Sequence, residues 1–389
     1  MKTSEHILKF PKDSGFKETL INFNSGNPDF IKEFIEKAEN TASRLFITDT
    51  SIAQLELLKP LINYFEKEES ISKEIVFQGK KGNDFLCIIN AGEAYKSIES
   101  VLAIVKLALE KNFNRNATFI SIGGGVISDL TGFAASIYKR GISCQFIPTT
   151  LLAMVDASVG GKTGCDFSNY KNMIGTFYPA SVIHIYPSFI KTLPENEYRS
   201  GLGEAIKTAF LFNKEMTKLF ETQADKIMQR EEKVLEKIIE GCVKAKACVV
   251  EKDFKEKNER ALLNYGHTFG HALETCAGLG KVTHGEAVVW GIGRAIALAE
   301  KKGSADKTFI SKAKKILSSF NYSLEPLACD LLNFKSAEEK NLFSKKLLEA
   351  MRKDKKNLSS KKIRIVYQND FCDNVIEEFD ENTIAEVLK

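Results

Sequence analysis

Residues 119–133, FISIGGGVISDLTGF, predict the structural unit on which the rest of the fold is built. The apolar run before the glycines has the composition of a buried strand, and a helix is expected from about Ser128. Glycines 123–125 separate the two, and glycine lets a phosphate approach the backbone at a helix N-terminus. The spacing is not GxGxxG, so a tight turn without a ligand is the alternative. Asp129 either caps this helix or faces a ligand.

Strand and helix signals alternate on both sides of this unit. Further strand-like segments lie at residues 44–50, 72–79, 143–150 and the start of 84–97, and a helix that begins at a serine covers 97–113. This alternation predicts a parallel sheet flanked by helices, that is, an α/β domain.

The second half of the chain has helical periodicity almost throughout. Pro194 is placed to open a helix, and the only strand-like segment beyond it is 361–370. We therefore expect an α/β domain over residues 1–193 and a mainly α-helical domain over residues 194–389.

Composition excludes several classes of protein. The 389 residues carry 55 basic and 51 acidic side chains, a balance that does not indicate a nucleic-acid-binding protein. No apolar run is long enough to span a membrane, and the N-terminus has no apolar core of a secretory signal. The eight cysteines form no CxxC pair and lie mostly in apolar segments, which predicts buried free thiols in a reducing cytoplasm.

Residues 148–164, PTTLLAMVDASVGGKTG, contain a glycine-rich loop with Lys162. A GGK loop suits an anion, although it lacks the spacing of a P-loop. A structural loop with a solvated lysine is the alternative. Lys171 and Asn172 follow at once in YKNMIG, and this second cationic segment favours anion binding.

The segment 201–211, GLGEAIKTAFL, places Glu204 and Lys207 three residues apart in a small and apolar helix. A surface ion pair is the simple interpretation. Because the surrounding residues are small or apolar, a buried pair that needs partners is also open.

Residues 260–274, RALLNYGHTFGHALE, place Arg260, Asn264, His267 and His271 on one face of a predicted helix. Two structural histidines remain an alternative to a metal-binding pair. His284 lies close by in sequence, so three of the five histidines fall within 18 residues. With Glu204 they make a plausible His–His–Glu set for zinc, which leaves a coordination position open for substrate, and other divalent ions are also suited.

In chain order, the motifs GGGVIxD, RG, PTTLLAMVDxSVGGKTG, KNxIG, EAIK, LLNxGHTFGHALE and HGEAV resemble those of the 3-dehydroquinate synthases, which are sugar phosphate cyclases. The resemblance runs from about Asp49 to Lys356. It implies a Rossmann-like N-terminal domain, a helical C-terminal domain, and NAD and Zn²⁺ (or Co²⁺) in the cleft of a homodimer. The implied substrate is the sugar phosphate 3-deoxy-D-arabino-heptulosonate 7-phosphate, and the products are 3-dehydroquinate and phosphate.

The resemblance also implies roles for single residues. The implied metal ligands are Glu204, His267 and His284. The implied NAD positions are Asp49, Glu93, Lys96, Gly124, Gly125, Val126, Asp129, Thr149, Thr150, Asp156, Lys162, Lys171 and Thr192. The implied substrate and catalytic positions are Lys162, Asn172, Lys207, Lys246, Arg260, Asn264, His271 and Lys356, with Asp156 and Lys171 also near the substrate and Arg140 reaching across the dimer.

This chain departs from the family pattern at two single residues and at both ends. Phe254 stands where an acid is usual, and Asn258 stands where glycine is usual, a replacement that tolerates positive φ. The N-terminal 45 residues and the C-terminal tail also match poorly. The alternative functions are another sugar phosphate cyclase acting on an amino or valiolone-type substrate, a metal- and NAD-dependent alcohol dehydrogenase, and a non-catalytic relative.

Overall fold

The structure is a computed structural model that describes residues 3–36, 42–168, 170–278, 280–329, 331–353 and 362–389. The chain divides into two compact units, one of Met1–Leu193 with Lys246–Lys255 and one of Pro194–Ala245 with Glu256–Lys389. The ten residues from Lys246 thus belong to the first unit, although they lie within the range expected for the second domain.

The strands are β1 (Thr3–Lys9), β2 (Glu18–Asn24), β3 (Arg44–Asp49), β4 (Glu66–Glu68), β5 (Ile75–Lys81), β6 (Asp84–Ile89), β7 (Thr118–Gly123), β8 (Ser143–Pro148), β9 (Lys162–Phe167), β10 (Tyr170–Phe177), β11 (Val182–Ile185), β12 (Lys362–Asp370) and β13 (Asp373–Asp380). The α-helices are α1 (Lys59–Tyr64), α2 (Ile98–Glu110), α3 (Gly125–Ile137), α4 (Glu195–Phe212), α5 (Lys214–Thr222), α6 (Ala224–Met228), α7 (Glu232–Lys252), α8 (His267–Ala277), α9 (His284–Lys302), α10 (Lys307–Ser319), α11 (Ala337–Arg352) and α12 (Glu381–Glu386).

A nine-stranded sheet with the order β1-β2-β11-β8-β7-β3-β6-β5-β4 forms the centre of the first unit. The six strands from β2 to β6 in this order run parallel, which confirms the predicted parallel sheet. Within this sheet, β1 pairs antiparallel with β2, and β5 pairs antiparallel with β4 and β6. Strands β3, β6 and β7 are buried along almost their whole length, as expected when helices cover both faces of a parallel sheet.

The glycine turn after β7 confirms the predicted strand–turn–helix unit but shifts its boundary. Helix α3 begins at Gly125, three residues before the predicted start, because the Ser128 amide already donates to the Gly124 carbonyl at 3.1 Å. A Cβ at position 123 would lie 2.6 Å from the Ile127 Cβ, so only glycine fits where the strand turns into the helix.

The second unit is built from helices with one terminal hairpin, β12–β13. The predicted continuous helix over 260–274 is wrong. Residues Glu259–Asn264 form a 3₁₀ helix, Gly266 adopts a φ of +77°, and α8 begins only at His267. The expectation for Asn258 is also wrong, since its φ is −137°, and the positive φ of this segment (+56°) falls on Glu256.

Two expectations from composition are answered by the structure. None of the described helices is both long and apolar enough to cross a membrane. All eight cysteines are free and lie in the described residues, but only four, Cys87, Cys144, Cys165 and Cys242, are buried, and Cys248 is exposed.

Candidate active site

The candidate metal centre of the second unit lies around the fully buried carboxylate of Glu204 on α4. Its Oε1 is 3.6 Å from the His267 Nε2 and 3.5 Å from the His284 Nε2, too long for good hydrogen bonds. The other carboxylate oxygen, Oε2, is paired with the Lys207 ammonium, whereas Oε1 has no hydrogen-bond donor within the described chain. A buried carboxylate oxygen without a donor is costly, and a cation held by two imidazoles and this oxygen removes that cost. The residues present therefore fit a divalent metal ion.

The two imidazoles present the correct nitrogen to such an ion. The Nδ1 of His267 is 3.2 Å from the Tyr265 carbonyl oxygen, and the Nδ1 of His284 is 3.2 Å from the Glu274 Oε2. When each Nδ1–H donates to these acceptors, each Nε2 lone pair faces Glu204. Glu274 was not selected from sequence, although its position seven residues after His267 on α8 marks the same helix face.

Lys207 supplies positive charge next to the centre. Its ammonium is 1% exposed and forms an ion pair with Glu204, so the surface ion pair considered from sequence is wrong. Burial raises the pKa of Glu204, but the Lys207 charge and His284 outweigh it and lower that pKa to about 2. Burial and the Lys207 charge lower the pKa of His267 well below its usual value, so this ligand is neutral.

Glycines bring the helices of the centre into backbone contact. A Cβ at Gly203 of α4 would lie 2.6 Å from the Gly285 carbonyl oxygen of α9, and one at Gly285 would overlap the Ser200 carbonyl. A Cβ at Gly270 of α8 would lie 2.9 Å from the Ala287 carbonyl oxygen. This close packing sets the separation of the three ligands.

His271 lies beside the centre without joining the Glu204 group. Its ring centroid is 5.2 Å from that of His267 and 5.9 Å from that of His284, and its side chain is exposed. This exposure is compatible with the substrate-binding role that the family resemblance implies for His271, in contrast to the metal-binding role implied for His267.

The other predicted substrate residues of the second unit precede α8. Arg260 is 1% exposed in the 3₁₀ helix. The Nδ2 of Asn264 donates to the Glu256 Oε1 at 3.1 Å and to the Ala261 carbonyl at 3.0 Å. Lys356 lies outside the described residues.

The carboxyl ends of β3 and β7 form the candidate nucleotide-binding part of the first unit. The order of the strands reverses between them, and in open α/β sheets such a switch point is where ligands bind. Asp49 ends β3, and its Oδ1 accepts from the Ser51 amide at 2.8 Å and the Ile52 amide at 3.0 Å.

The glycine turn at this edge has little room for side chains. A Cβ at Gly124 would lie 3.0 Å from the Thr150 Cγ2, and one at Gly125 would lie 3.4 Å from the Ala157 Cβ. Val126 follows in the first turn of α3. The Thr149 amide donates to the Gly123 carbonyl at 3.0 Å, whereas its buried Oγ1 has no partner in the described chain. Glycine backbone at a helix N-terminus and an unsatisfied hydroxyl fit a phosphate-bearing cofactor.

Lys96 contacts two other predicted residues, Asp129 and Asn172. Its Nζ is 2.6 Å from the Asp129 Oδ2 and donates to the Asn172 Oδ1 at 2.6 Å. Burial lowers the pKa of Lys96, but the Asp129 charge outweighs burial and raises it, so the lysine is charged. Glu93 is exposed, 3.9 Å from the Lys171 Nζ.

Lys246, near the end of α7, contacts the segment 148–164 that contains the GGK sequence. Its buried Nζ is 2.9 Å from the Asp156 Oδ1 and donates to the Asp156 carbonyl at 2.6 Å. Lys162 is exposed at the start of β9, after Gly160 and Gly161, both with positive φ. Lys246 is therefore held in a defined position by Asp156.

Two further predicted residues of the first unit, Thr192 and Arg140, have different local surroundings. Thr192 is exposed, and its Oγ1 donates to the Phe189 carbonyl at 2.7 Å. Arg140 is exposed with a φ of +69°, between Lys139 and Gly141, which also have positive φ.

Two family models cover most of the chain. "3-dehydroquinate synthase N-terminal" matches residues 86–200, and "3-dehydroquinate synthase C-terminal" matches residues 201–357. This chain belongs to the 3-dehydroquinate synthase family. The family's 3-dehydroquinate synthase from Campylobacter fetus is 35% identical over 95% of this chain and 98% of its own length. A bifunctional 3-dehydroquinate synthase/phosphatase from Fusobacterium nucleatum is 38% identical over 88% of this chain, which spans only 48% of that longer protein.

Solved structures of related enzymes share the fold. A 2-deoxy-scyllo-inosose synthase, solved with carbaglucose-6-phosphate, NAD⁺ and Co²⁺, superposes with a TM-score of 0.80 over 99% of both chains at 20% identity. The 2-epi-5-epi-valiolone synthase of Streptomyces hygroscopicus, solved with NAD⁺ and Zn²⁺, has a TM-score of 0.77 at 25% identity over 96% of this chain and 97% of its own. These similarities confirm the predicted architecture of a Rossmann-like domain and a helical domain.

Proposed function

We propose that this chain is a 3-dehydroquinate synthase, an enzyme of the shikimate pathway. It converts 3-deoxy-D-arabino-heptulosonate 7-phosphate to 3-dehydroquinate and phosphate. The observation that carries the proposal is the buried Glu204 carboxylate, which faces two imidazoles with their Nε2 atoms at 3.5–3.6 Å, in a chain whose relatives of that name match it nearly end to end.

The proposed cofactors are NAD and Zn²⁺, with Co²⁺ as a second suitable ion. When bound, NAD takes up and returns a hydride and the metal ion polarises substrate oxygens, so the reaction has no net redox change. Glu204, His267 and His284 would hold the metal ion. The glycine turn with Gly124 and Thr149 would hold the cofactor phosphates, supported by its place at the N-terminus of α3 and by the unsatisfied Thr149 hydroxyl.

Cationic side chains would bind the substrate, which carries a carboxylate and a phosphate. Lys162 and Lys171 are exposed on β9 and β10, whereas Lys246 and Arg260 are buried and held in defined positions. Positioned charges of this kind orient a substrate and lower the barrier by fixing the reacting geometry. His271, exposed beside the metal ligands, is the group proposed to move a proton as phosphate leaves.

Three further assignments belong to the proposal. The first unit would bind NAD, and the second would bind the metal ion. The active form would be a homodimer in the cytoplasm, in which the exposed Arg140 contacts the partner's substrate. The free thiols of all eight cysteines are compatible with a reducing compartment.

The test is a coupled measurement of phosphate and NADH. Zinc-loaded protein is incubated with NAD and the heptulosonate phosphate. Phosphate released without accumulating NADH is expected, because the hydride is returned in each turnover. Accumulating NADH would indicate an alcohol dehydrogenase instead.

Another sugar phosphate cyclase is the second candidate, favoured by the 0.77 TM-score to the valiolone synthase. Sedoheptulose 7-phosphate lacks the carboxylate that Lys246 and Arg260 are proposed to recognise. Phosphate release from that substrate, with none from the heptulosonate phosphate, would replace the proposed function by a valiolone-type cyclase.

A further inference from the structure

Phe254, at a position where the family resemblance implies an acid, lies in a group of aromatic rings. The residue follows α7 and is 3% exposed. Its ring centroid is 5.0 Å from that of Phe10, 5.9 Å from that of Phe16 and 5.3 Å from that of Phe177. We call Phe10, Phe16, Phe177 and Phe254 the aromatic cluster. An ionised carboxylate buried among these rings would be strongly unfavourable, so Phe254 suits the residues that surround it.

The N-terminal segment, which matches the family poorly, supplies half of this cluster. Phe10 directly follows β1 and Phe16 precedes β2. The Lys9 amide also donates to the Glu251 Oε1 of α7 at 3.0 Å, so the segment is joined to the end of α7 by a polar contact as well. The N-terminal segment therefore packs directly against Phe254 and the end of α7.

The same cluster contacts the segments that carry two proposed substrate lysines. A Cβ at Gly161, the residue before Lys162, would lie 3.2 Å from the Phe254 Cε2. Phe177 pairs directly opposite Lys162 in the β9–β10 ladder. Lys246 is on the last turns of α7, where its ammonium binds Asp156 at 2.9 Å.

From these contacts we infer that the aromatic cluster positions the GGK turn and the end of α7 for substrate binding, with Phe10 and Phe254 as positioning residues. Gly161 adopts a φ of +72°, and its turn is confined by Phe254 on one side and by Pro179, 3.1 Å from the Cβ position, on the other. Aromatic edge-to-face contacts hold this arrangement more rigidly than flexible aliphatic side chains would. The inference rests on the proposed function only in assigning Lys162 and Lys246 to the substrate.

The decisive variant is Phe10→Leu, with Phe34→Leu as its matched control. Both phenylalanines are 8% exposed. Phe34 packs against the rings of Phe30, Phe46 and His184, which belong neither to the GGK turn nor to the aromatic cluster. Phe10→Leu is expected to lower kcat/KM for the heptulosonate phosphate about tenfold, mainly through KM, since small displacements of binding groups weaken substrate orientation. NAD affinity stays unchanged, and Phe34→Leu leaves KM unchanged.

A double-mutant cycle with Lys162→Ala tests whether Phe10 acts through the GGK turn. In the Lys162→Ala background, Phe10→Leu is expected to change kcat/KM less than about twofold, because the lysine it positions is gone. Full additivity, or an equal rise of KM in Phe34→Leu, would overturn the inference.

Two controls keep the outcome interpretable. If Phe10→Leu does not fold, the same cycle is made with Phe16→Leu, since Phe16 is only half-buried and its ring is also within 5.9 Å of Phe254. Wild-type protein that releases no phosphate would sink the proposed function, whereas active wild type with an additive cycle would sink only the role of the cluster.

Discussion

Glu274 is expected to control metal affinity without touching the metal ion. Its Oε2 accepts from the Nδ1 of His284 at 3.2 Å, which fixes the tautomer that turns Nε2 towards Glu204. Removing such a partner weakens metal binding about 10- to 100-fold. The Glu274 side chain is 13% exposed, so water can partly replace the lost acceptor in Glu274→Ala. We therefore expect the lower end, about tenfold or 1.4 kcal/mol.

Glu274→Gln separates charge from hydrogen bonding. The amide oxygen still accepts from His284, but charge-assisted hydrogen bonds are about twice as strong as neutral ones, so a loss of about threefold is expected. Zinc affinity is measured by competition with a chelating indicator, and the Co²⁺ absorption spectrum reports the geometry of the centre.

The matched control for Glu274 is Glu286→Gln. Glu286 is also next to His284, but its carboxylate caps α9 by accepting from the Thr283 amide at 3.1 Å. This variant is expected to lose about 0.5–1 kcal/mol of stability and to keep its zinc affinity. Wild-type affinity in Glu274→Ala, or an equal loss in Glu286→Gln, would refute the orienting role.

Three more predictions follow from the described contacts. His267→Ala should abolish both metal retention and turnover, whereas His271→Ala should retain metal and lose kcat; metal content by mass spectrometry checks this. Gly285→Ala should cost about 3 kcal/mol of unfolding free energy because its Cβ overlaps the Ser200 carbonyl, against about 1 kcal/mol for Gly303→Ala, which has no such neighbour. Burial lowers the pKa of His184 to about 4. Its contribution to the free energy of unfolding is therefore fully present above about pH 6.5 and falls as the pH is lowered, because the unfolded chain takes up a proton at this histidine before the folded chain does. Wild type should therefore lose about 2 kcal/mol more than His184→Gln between pH 7 and pH 5 in urea unfolding.

Local chemistry made much of the fold predictable. Strands β3 and β7 are mostly apolar and buried, and α2 begins after Ser97, whose side chain accepts from the Ser100 amide as an N-cap. The predictions were wrong where the backbone conformation depends on packing against other elements of the fold. The helix expected over 260–274 breaks at Gly266, because α8 packs so closely on α9 that a Cβ there would overlap the Val288 carbonyl.

Residue types and motif order alone were enough to propose Glu204, His267 and His284 as ligands and to assign the family. Sequence could not decide whether Glu204 and Lys207 were solvated or buried, since both outcomes are compatible with an i, i+3 pair on a helix. Only the tertiary structure shows the carboxylate in the interior, where its Oε1 lacks a hydrogen-bond donor in the described chain, and places Glu274 behind His284.

The structure also shows why Phe254 is tolerated, because its ring packs against Phe10, which is 244 positions earlier in the chain. Contacts at such separations depend on how the chain folds back on itself, and no periodicity in the sequence records them. Motifs determined which chemistry this protein is equipped for. Tertiary packing decided which side chains are buried, which nitrogen each imidazole presents, and which distant residues hold them there.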